Sequence, residues 1–283
     1  MAGTWNGHAR VRSPPAPPVS RPSRLRLASV WPLTPPGQAR IVDPAPTMIT
    51  IRKSDDRGYA DRGWLRSHAT FSFGGYQDPR FNGFRALRVL NEDRIAPGKG
   101  FGPHSHRDME ILTYVVAGQL AHRDSLSGPH LLGRNELQAM SAGDGIVHSE
   151  FNASETEPSH SIQIWIEPTS EDLQPSYQQI VINPSERRGR WQFLAAPVGS
   201  DENAATTINQ DARLYVAEAS PGSIIRYAIA PQRSAWIQVV RGHVGLNGLP
   251  MKEGDGAAIR KEQEIAVAGG GVAGGELLLF DLP

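Results

Sequence analysis

Four residues of metal-binding types occur as two short pairs in this sequence. His104 and His106 form one pair, and His148 and Glu150 repeat the same spacing further along the chain. Side chains alternate between the two faces of a β-strand, so each pair projects from a single face. If the two strands face each other across a small barrel, all four side chains converge on one point. The spacing therefore predicts a mononuclear site of three imidazoles and one carboxylate.

The ligand types restrict the metal that this site can hold. The sequence contains no cysteine, which excludes thiolate ligands, disulfide bonds and iron–sulfur clusters. Imidazole nitrogen and carboxylate oxygen suit Fe, Mn, Co, Ni, Cu or Zn, whereas Ca and Mg prefer oxygen-rich sites. Four protein ligands would fill a tetrahedral zinc site, but an octahedral ion would keep two positions open. Those positions suit a substrate oxygen beside O₂ or water, so Fe(II) is favoured.

Glu110 leaves the identity of the carboxylate ligand open. It lies shortly after the first histidine pair, and it could replace Glu150 as the ligand or accept a hydrogen bond that orients an imidazole. The other histidines are expected to be surface residues or satisfied core residues, and they are His8, His68, His122, His130, His160 and His243.

The segments around the candidate ligands have the composition of β-strands. Turn formers such as Pro97-Gly98 separate short runs rich in β-branched and aromatic residues, and long helical periodicity is absent. The runs are ITIRK (49–53), FRALRVLNEDRI (84–95), EILTYVVAGQL (110–120), HSIQIWIEP (160–168) and YQQIVI (177–182). This pattern predicts an all-β sandwich or barrel.

Changes in composition divide the chain into four parts. Residues 1–47 hold ten of the 23 prolines, and we interpret them as a disordered extension rather than a targeting peptide. Residues 48–182 form the predicted metal-binding domain. The polar stretch 183–212 is a predicted linker, and residues 213–283 form a second β-domain.

The second domain reads as a copy of the first that has lost the ligands. YVVAG at 114–118 resembles IQVVRG at 237–242, and GDG at 143–145 recurs at 254–256. Carrying the ligand spacing across places the four equivalent positions on Ala228, Ala230, Ile259 and Lys261. None of these residue types binds metal, so only the first domain is expected to do so.

Charge and hydropathy exclude several function classes. The chain has 29 basic and 29 acidic residues, and no basic stripe with interleaved aromatic residues, which argues against binding nucleic acid. No run approaches the roughly 18 apolar residues of a membrane helix. A cytoplasmic protein is the expectation.

Longer motifs resemble those of the pirin family, which has the bicupin fold of two tandem β-barrels (jelly rolls) with few short helices. The similarity covers residues 48–283 and is strongest to the bacterial quercetinase-like members. The matching segments are 57–79, 84–93, GFGPHSHRDMEILTYVVAG (100–118), QAMSAGDGIVHSEFN (138–152), 163–168, WIQVVRGHVGLNG (236–248) and LLLFDLP (277–283).

The resemblance implies an iron site in the first cupin, with His104, His106, His148 and Glu150 as ligands, and a metal-free second cupin. The implied activity is 2,3-dioxygenation of the flavonol quercetin, which opens its heterocycle and releases carbon monoxide. Glu150, with Glu110 as the alternative, is the hypothetical acceptor of the substrate proton. Phe71, Phe73 and Phe84 are candidate walls of an aromatic pocket, but a plain core role is the favoured interpretation for them.

Two other functions remain open at this point. The first is a regulator that binds a protein partner, in which the metal shapes a surface without turnover. The second is an isomerase or hydrolase that uses the same cupin site with zinc. Aerobic assay with quercetin separates the first from a dioxygenase, and metal analysis separates the second.

Overall fold

The computed structural model describes residues 48–200 and 202–283, so the extension 1–47 lies outside the described residues. Strands dominate, and the one helix in the described part is a 3-10 turn at Ser54–Asp56. The all-β prediction is confirmed. The strands are β1 (Ile49–Arg52), β2 (Gly58–Asp61), β3 (Leu65–Ala69), β4 (Leu87–Ile95), β5 (Gly100–His106), β6 (Glu110–Ala117), β7 (Gln119–Asp124), β8 (Pro129–Gly133), β9 (Glu136–Ser141), β10 (Ile146–Asn152), β11 (Ser159–Ile166), β12 (Ser176–Val181), β13 (Gln192–Pro197), β14 (Thr206–Ile208), β15 (Arg213–Ala219), β16 (Ile224–Ala228), β17 (Ser234–Leu246), β18 (Leu249–Lys252), β19 (Gly256–Arg260), β20 (Glu264–Gly269) and β21 (Gly275–Leu282).

Two sheets form the first half of the molecule. A seven-stranded sheet has the order β12-β9-β6-β11-β4-β3-β2, and a four-stranded sheet has the order β5-β10-β7-β8. The pairs inside the seven-stranded sheet are antiparallel. Its central strands are rich in Ile, Leu and Val, and they bury almost every residue, as in β6. Both candidate ligand pairs lie on the smaller sheet.

The second half is one ten-stranded sheet system. Its main path is β1-β19-β17-β21-β15-β13-β14, and β16, β18 and β20 attach to it through neighbouring strands. The sheet extends beyond the residues predicted for the second domain. β1 pairs with β19, and β13 and β14, which lie in the predicted 183–212 linker, also belong to this sheet.

Matching glycines support the internal repeat. Gly118 and Gly242 both adopt positive φ angles, 73° and 74°. An added Cβ would lie 2.8 Å from the Pro158 carbonyl oxygen at the first position and 2.1 Å from the Gly274 oxygen at the second. Glycine is therefore required twice for the same reasons, a left-handed backbone and a close approach by another strand.

One apolar cluster joins the two halves. It contains Leu112 and Ile164 from the seven-stranded sheet together with Trp236 and Phe280 from the ten-stranded sheet, all nearly inaccessible to solvent. Separate clusters fill the interior of each half. In the residues described, no helix combines the length and the apolar character that a membrane span needs.

Candidate metal centre

Strands β5 and β10 bring the two predicted ligand pairs side by side. They are antiparallel neighbours, with His148 opposite His104 and Ile146 opposite His106. A register shift between His148 and Glu150 places Glu150 opposite Phe101. Because alternate residues of a strand share a face, this pairing directs the three imidazoles toward one another.

The three imidazoles form a compact group. Each of His104, His106 and His148 offers a ring nitrogen within 4.8 Å of those on the other two, and within the described ranges this is the one such group of three or more metal-binding side chains. The ring centroids are 4.4 Å apart for His104 and His148, and 4.8 Å apart for the other two pairs. These distances allow one ion to contact all three rings.

Hydrogen bonds occupy one nitrogen on two of these rings. His104 Nδ1 lies 2.8 Å from the Gly102 carbonyl oxygen, and His148 Nδ1 lies 3.1 Å from His122 Nε2. His148 Nε2 is buried and has no hydrogen-bond partner in the described part of the chain. A buried nitrogen of this kind is unfavourable unless something binds it. The donor set therefore fits a nitrogen-binding metal ion.

Burial keeps the imidazoles in the form that binds metal. Burial, with the charge of His104, lowers the pKa of His106 to about 4. Burial and the neighbouring histidines lower the pKa of His148 to about 3. Both rings are therefore neutral near pH 7, and only the neutral imidazole has a lone pair for a metal.

Glu150 lies next to this group but is held separately. Its carboxylate accepts hydrogen bonds from Gln163 Nε2 at 2.8 Å and from Thr113 Oγ1 at 3.4 Å. Burial raises the pKa of Glu150, against the opposing hydrogen bond from Gln163. A cation beside the carboxylate would compensate for its desolvation.

The alternative carboxylate, Glu110, has other partners. Its Oε1 accepts hydrogen bonds from Ser141 Oγ at 2.8 Å and Asn209 Nδ2 at 3.1 Å. It does not line the cavity that contains His104, His106 and Glu150. Its position therefore favours a structural role.

His122 is a site residue that the sequence reasoning missed. It was expected to be an ordinary surface or core residue, yet it bonds His148 on one side, and its Nδ1 lies 3.5 Å from Asp124 Oδ2 on the other. Tyr177 stacks on its ring at 5.1 Å. A hydrogen-bond acceptor behind an imidazole fixes the tautomer and orientation of that ring. Through its contact with His148 Nδ1, His122 therefore positions His148.

A cavity of about 510 Å³ opens beside the imidazoles. Its aromatic walls include Phe73, Tyr76, Phe101 and Trp165, and its polar residues include Asn91, Asp93, Glu150 and Gln163. The volume and the mixed lining are typical of a site for a small organic ligand.

The favoured core role holds for two of the three phenylalanines, and the alternative, a cavity wall, holds for the third. Phe73 lines the cavity. Phe71 and Phe84 instead pack on Trp236 in the core between the sheets, with ring centroids 5.0 Å and 5.7 Å away. Both belong to the apolar cluster that joins the two halves.

Comparison with known families gives two matches. Residues 50–166 match the family described as Pirin, and residues 193–282 match the one described as Quercetinase C-terminal cupin domain. The quercetin 2,3-dioxygenase of Escherichia coli (strain K12) is 44% identical over 236 residues, which are 83% of this chain and 99% of that protein. The chain belongs to the pirin family.

Other pirins agree with this assignment and with the two-cupin fold. A pirin-like protein of Caulobacter vibrioides is 39% identical over 83% of this chain and 99% of its own length. A second match is the crystal structure of the bacterial pirin YhhW from Escherichia coli in complex with nickel(II). Its sequence is 44% identical to this chain, the match covers 83% of this chain and 99% of that chain, and the TM-score is 0.77. The predicted bicupin architecture is confirmed.

The second cupin of this pirin is packed with apolar side chains. Ile259, which the predicted repeat aligns with His148, is fully buried in a cluster with Ile225, Ile237 and Leu279. The other three aligned positions, Ala228, Ala230 and Lys261, are exposed.

Proposed function

We propose that this protein is a metal-dependent dioxygenase of the quercetin 2,3-dioxygenase type. The observation that carries the proposal is the group of three imidazoles at the side of a 510 Å³ cavity with aromatic walls. Pirin relatives named quercetin 2,3-dioxygenase support it. In the proposed reaction both atoms of O₂ enter the products, the flavonol heterocycle opens, and one ring carbon leaves as carbon monoxide.

The metal ligands in this proposal are His104, His106, His148 and Glu150. Fe(II) is the proposed ion, although sites built from nitrogen and oxygen ligands accept several divalent metals, and the E. coli pirin was crystallised in complex with nickel(II). A bound divalent ion supplies positive charge that favours deprotonation of a nearby hydroxyl, and it supplies redox chemistry for O₂. The lack of cysteine fits the cytoplasmic location that we propose.

The surrounding side chains bind and orient the substrate. Phe73 and Trp165 meet edge to face at 5.5 Å, and they offer flat apolar surface to a planar polyphenol. Glu150 is the proposed acceptor of the flavonol 3-hydroxyl proton, because its carboxylate lines the cavity beside His104 and His106. Gln163 and Thr113 hold the carboxylate in place.

The test combines metal analysis with oxygen uptake. Purified protein is expected to contain about one metal ion per chain and to consume about one O₂ per quercetin, with release of carbon monoxide. His148→Ala is expected to lose both the metal and the activity, because it removes a ligand. Glu150→Gln tests the proton acceptor in the same assay. His243→Ala, an exposed histidine outside the cavity, is the control.

Full metal content without oxygen uptake would contradict the dioxygenase and favour the partner-binding regulator instead. Undiminished ring cleavage by Glu150→Gln with the metal still bound would contradict only the proton role of Glu150.

A further inference from the structure

Two polar side chains on β4 face the cavity. Asn91 and Asp93 are 3% and 6% exposed, and both line the cavity that also contains His104, His106 and Glu150. They are two residues apart, so they project from the same face of the strand. Both therefore lie within reach of a ligand that occupies the cavity.

Each of the two side chains has one oxygen that accepts no hydrogen bond from the neighbouring strands. The Oδ1 atoms of Asn91 and Asp93 are buried and have no hydrogen-bond partner among the residues that the structure describes. Gln163, which is opposite Asn91 on β11, differs because Glu150 and Trp165 already occupy its amide. Buried polar atoms without partners are rare in native proteins, and these two face a cavity in which a bound ligand or an ordered water can pair with them.

The free atoms are hydrogen-bond acceptors. The Asn91 oxygen can only accept. Burial raises the pKa of Asp93 to about 6, with the Ser67 hydroxyl opposing the shift and the charge of Glu92 adding to it. Asp93 is therefore largely ionised at pH 7.5 and also accepts. A ligand that satisfies both side chains must present hydrogen-bond donors at this part of the cavity.

We infer that Asn91 and Asp93 select substrates with free hydroxyl groups on their aromatic rings, in addition to the 3-hydroxyl at the reacting bond. This inference rests on the proposed function, because it takes the ligand to be a flavonol. It assigns the recognition of the other ring hydroxyls of quercetin to two residues of β4. A ligand without these hydroxyls leaves two buried acceptors unpaired, which a site built for hydrogen bonding penalises strongly.

The experiment compares quercetin with 3-hydroxyflavone, which has the same ring system and 3-hydroxyl but lacks the other hydroxyls. Binding to metal-loaded protein is titrated at pH 7.5 without O₂, so that no turnover occurs. We expect quercetin to bind about a hundredfold more tightly, the effect of two buried hydrogen bonds of about tenfold each. An apolar cavity without selective acceptors would bind the less polar 3-hydroxyflavone as well or better, and that result would overturn the inference.

Two variants assign the preference to these residues. Asn91→Leu and Asp93→Leu keep a similar side-chain volume and remove the acceptors, so each is expected to reduce the preference for quercetin by about tenfold. Thr70→Val is the matched control. It removes a buried oxygen that lacks a partner in the described part of the chain and does not line the cavity, so the preference should persist. Full preference in both leucine variants, with metal content intact, would also overturn the inference.

Different results would contradict the proposed dioxygenase activity and the proposed recognition by Asn91 and Asp93. A preference for quercetin without O₂ uptake contradicts the dioxygenase and leaves the recognition by Asn91 and Asp93 standing. Oxygen uptake with equal binding of the two flavonols contradicts the recognition alone.

Discussion

Asp93 is a carboxyl group whose folded environment disfavours its charge. Burial raises its pKa from 3.8 to about 6, so the folded protein keeps this proton at pH values where the unfolded chain has released it. Between those two pKa values the folded state binds more protons, and the contribution of Asp93 to stability therefore falls as the pH rises. Above about pH 6 the folded protein holds Asp93 as a buried carboxylate, and the full cost of desolvating that charge lowers the free energy of unfolding.

We therefore expect Asp93→Asn to stabilise the protein at high pH. The free energy of unfolding should increase by about 2 kcal/mol at about pH 8 and by clearly less at about pH 4.5, where the wild-type carboxyl is protonated in the fold. Denaturant titrations at the two pH values measure the difference. Asp56→Asn, at an exposed position, is the control. An equal gain for Asp93→Asn at both pH values would contradict this account.

His122 shows what the sequence could not reveal at this scale. The ligand pairs were visible because each lies within one strand, where spacing alone sets the direction of the side chains. The contact between His122 and His148 instead depends on the pairing of β7 with β10, which places His122 opposite Glu150. That pairing is not local. The one available signal was the His122-x-Asp124 spacing, which repeats the geometry of the ligand pairs.

At the scale of elements, Glu92 on β4 ties three segments together. Its carboxylate accepts hydrogen bonds from Arg57 and Arg94, both at 2.7 Å, and lies 3.0 Å from His160 Nε2 on β11. Burial opposes ionisation, yet the bonds from His160 and Arg57 hold the pKa of Glu92 well below its usual value. The carboxylate is therefore charged, paired and buried.

Glu92→Gln is expected to lower the free energy of unfolding by about 3 kcal/mol near pH 7, because it leaves the buried Arg57 without its counter-charge. Glu253 also pairs with Arg94, at 3.1 Å, but its side chain is 46% exposed. Glu253→Gln should therefore cost less than about 1 kcal/mol. Urea denaturation of the two variants makes the comparison, and equal losses would refute it.

Several strands of the first half could be predicted because β-branched and aromatic residues are concentrated in short runs there. The runs at 84–95, 110–120 and 160–168 became β4, β6 and β11. The hairpin β7–β8 was not predicted, since QLAHRD carries few β-branched or aromatic residues. The partner sheet of each strand could not be predicted either. β1 reads as the first strand of the first domain, but long-range pairing places it beside β19.

At the scale of the whole molecule, the two cupins share one core. Trp236 from the second half is 1% exposed and contacts Phe71 and Phe84 from the first half. Arg187 Nη1 donates to the Tyr114 hydroxyl at 3.1 Å, and Tyr114 also bonds Glu276. Because these contacts are buried, we expect residues 48–283 to unfold as one cooperative unit.

Trp236→Ala tests this coupling. It should lower the free energy of unfolding by about 3–5 kcal/mol, the cost of removing a large buried aromatic side chain. The loss should appear equally in hydrogen-exchange protection of β6 in the first half and β17 in the second. Trp191→Ala, which alters only the cluster of the second half, is the comparison. Normal protection of β6 in Trp236→Ala would mean that the halves unfold independently.

The pairing of β1 with β19 has a consequence for how the molecule is made. During translation the first strand leaves the ribosome early, while its partner is among the last strands to be synthesised. Until β19 has been synthesised, β1 cannot form the backbone hydrogen bonds that join these two strands. Such distant pairing slows the last step of folding, so completion of the second cupin must await release of nearly the entire polypeptide.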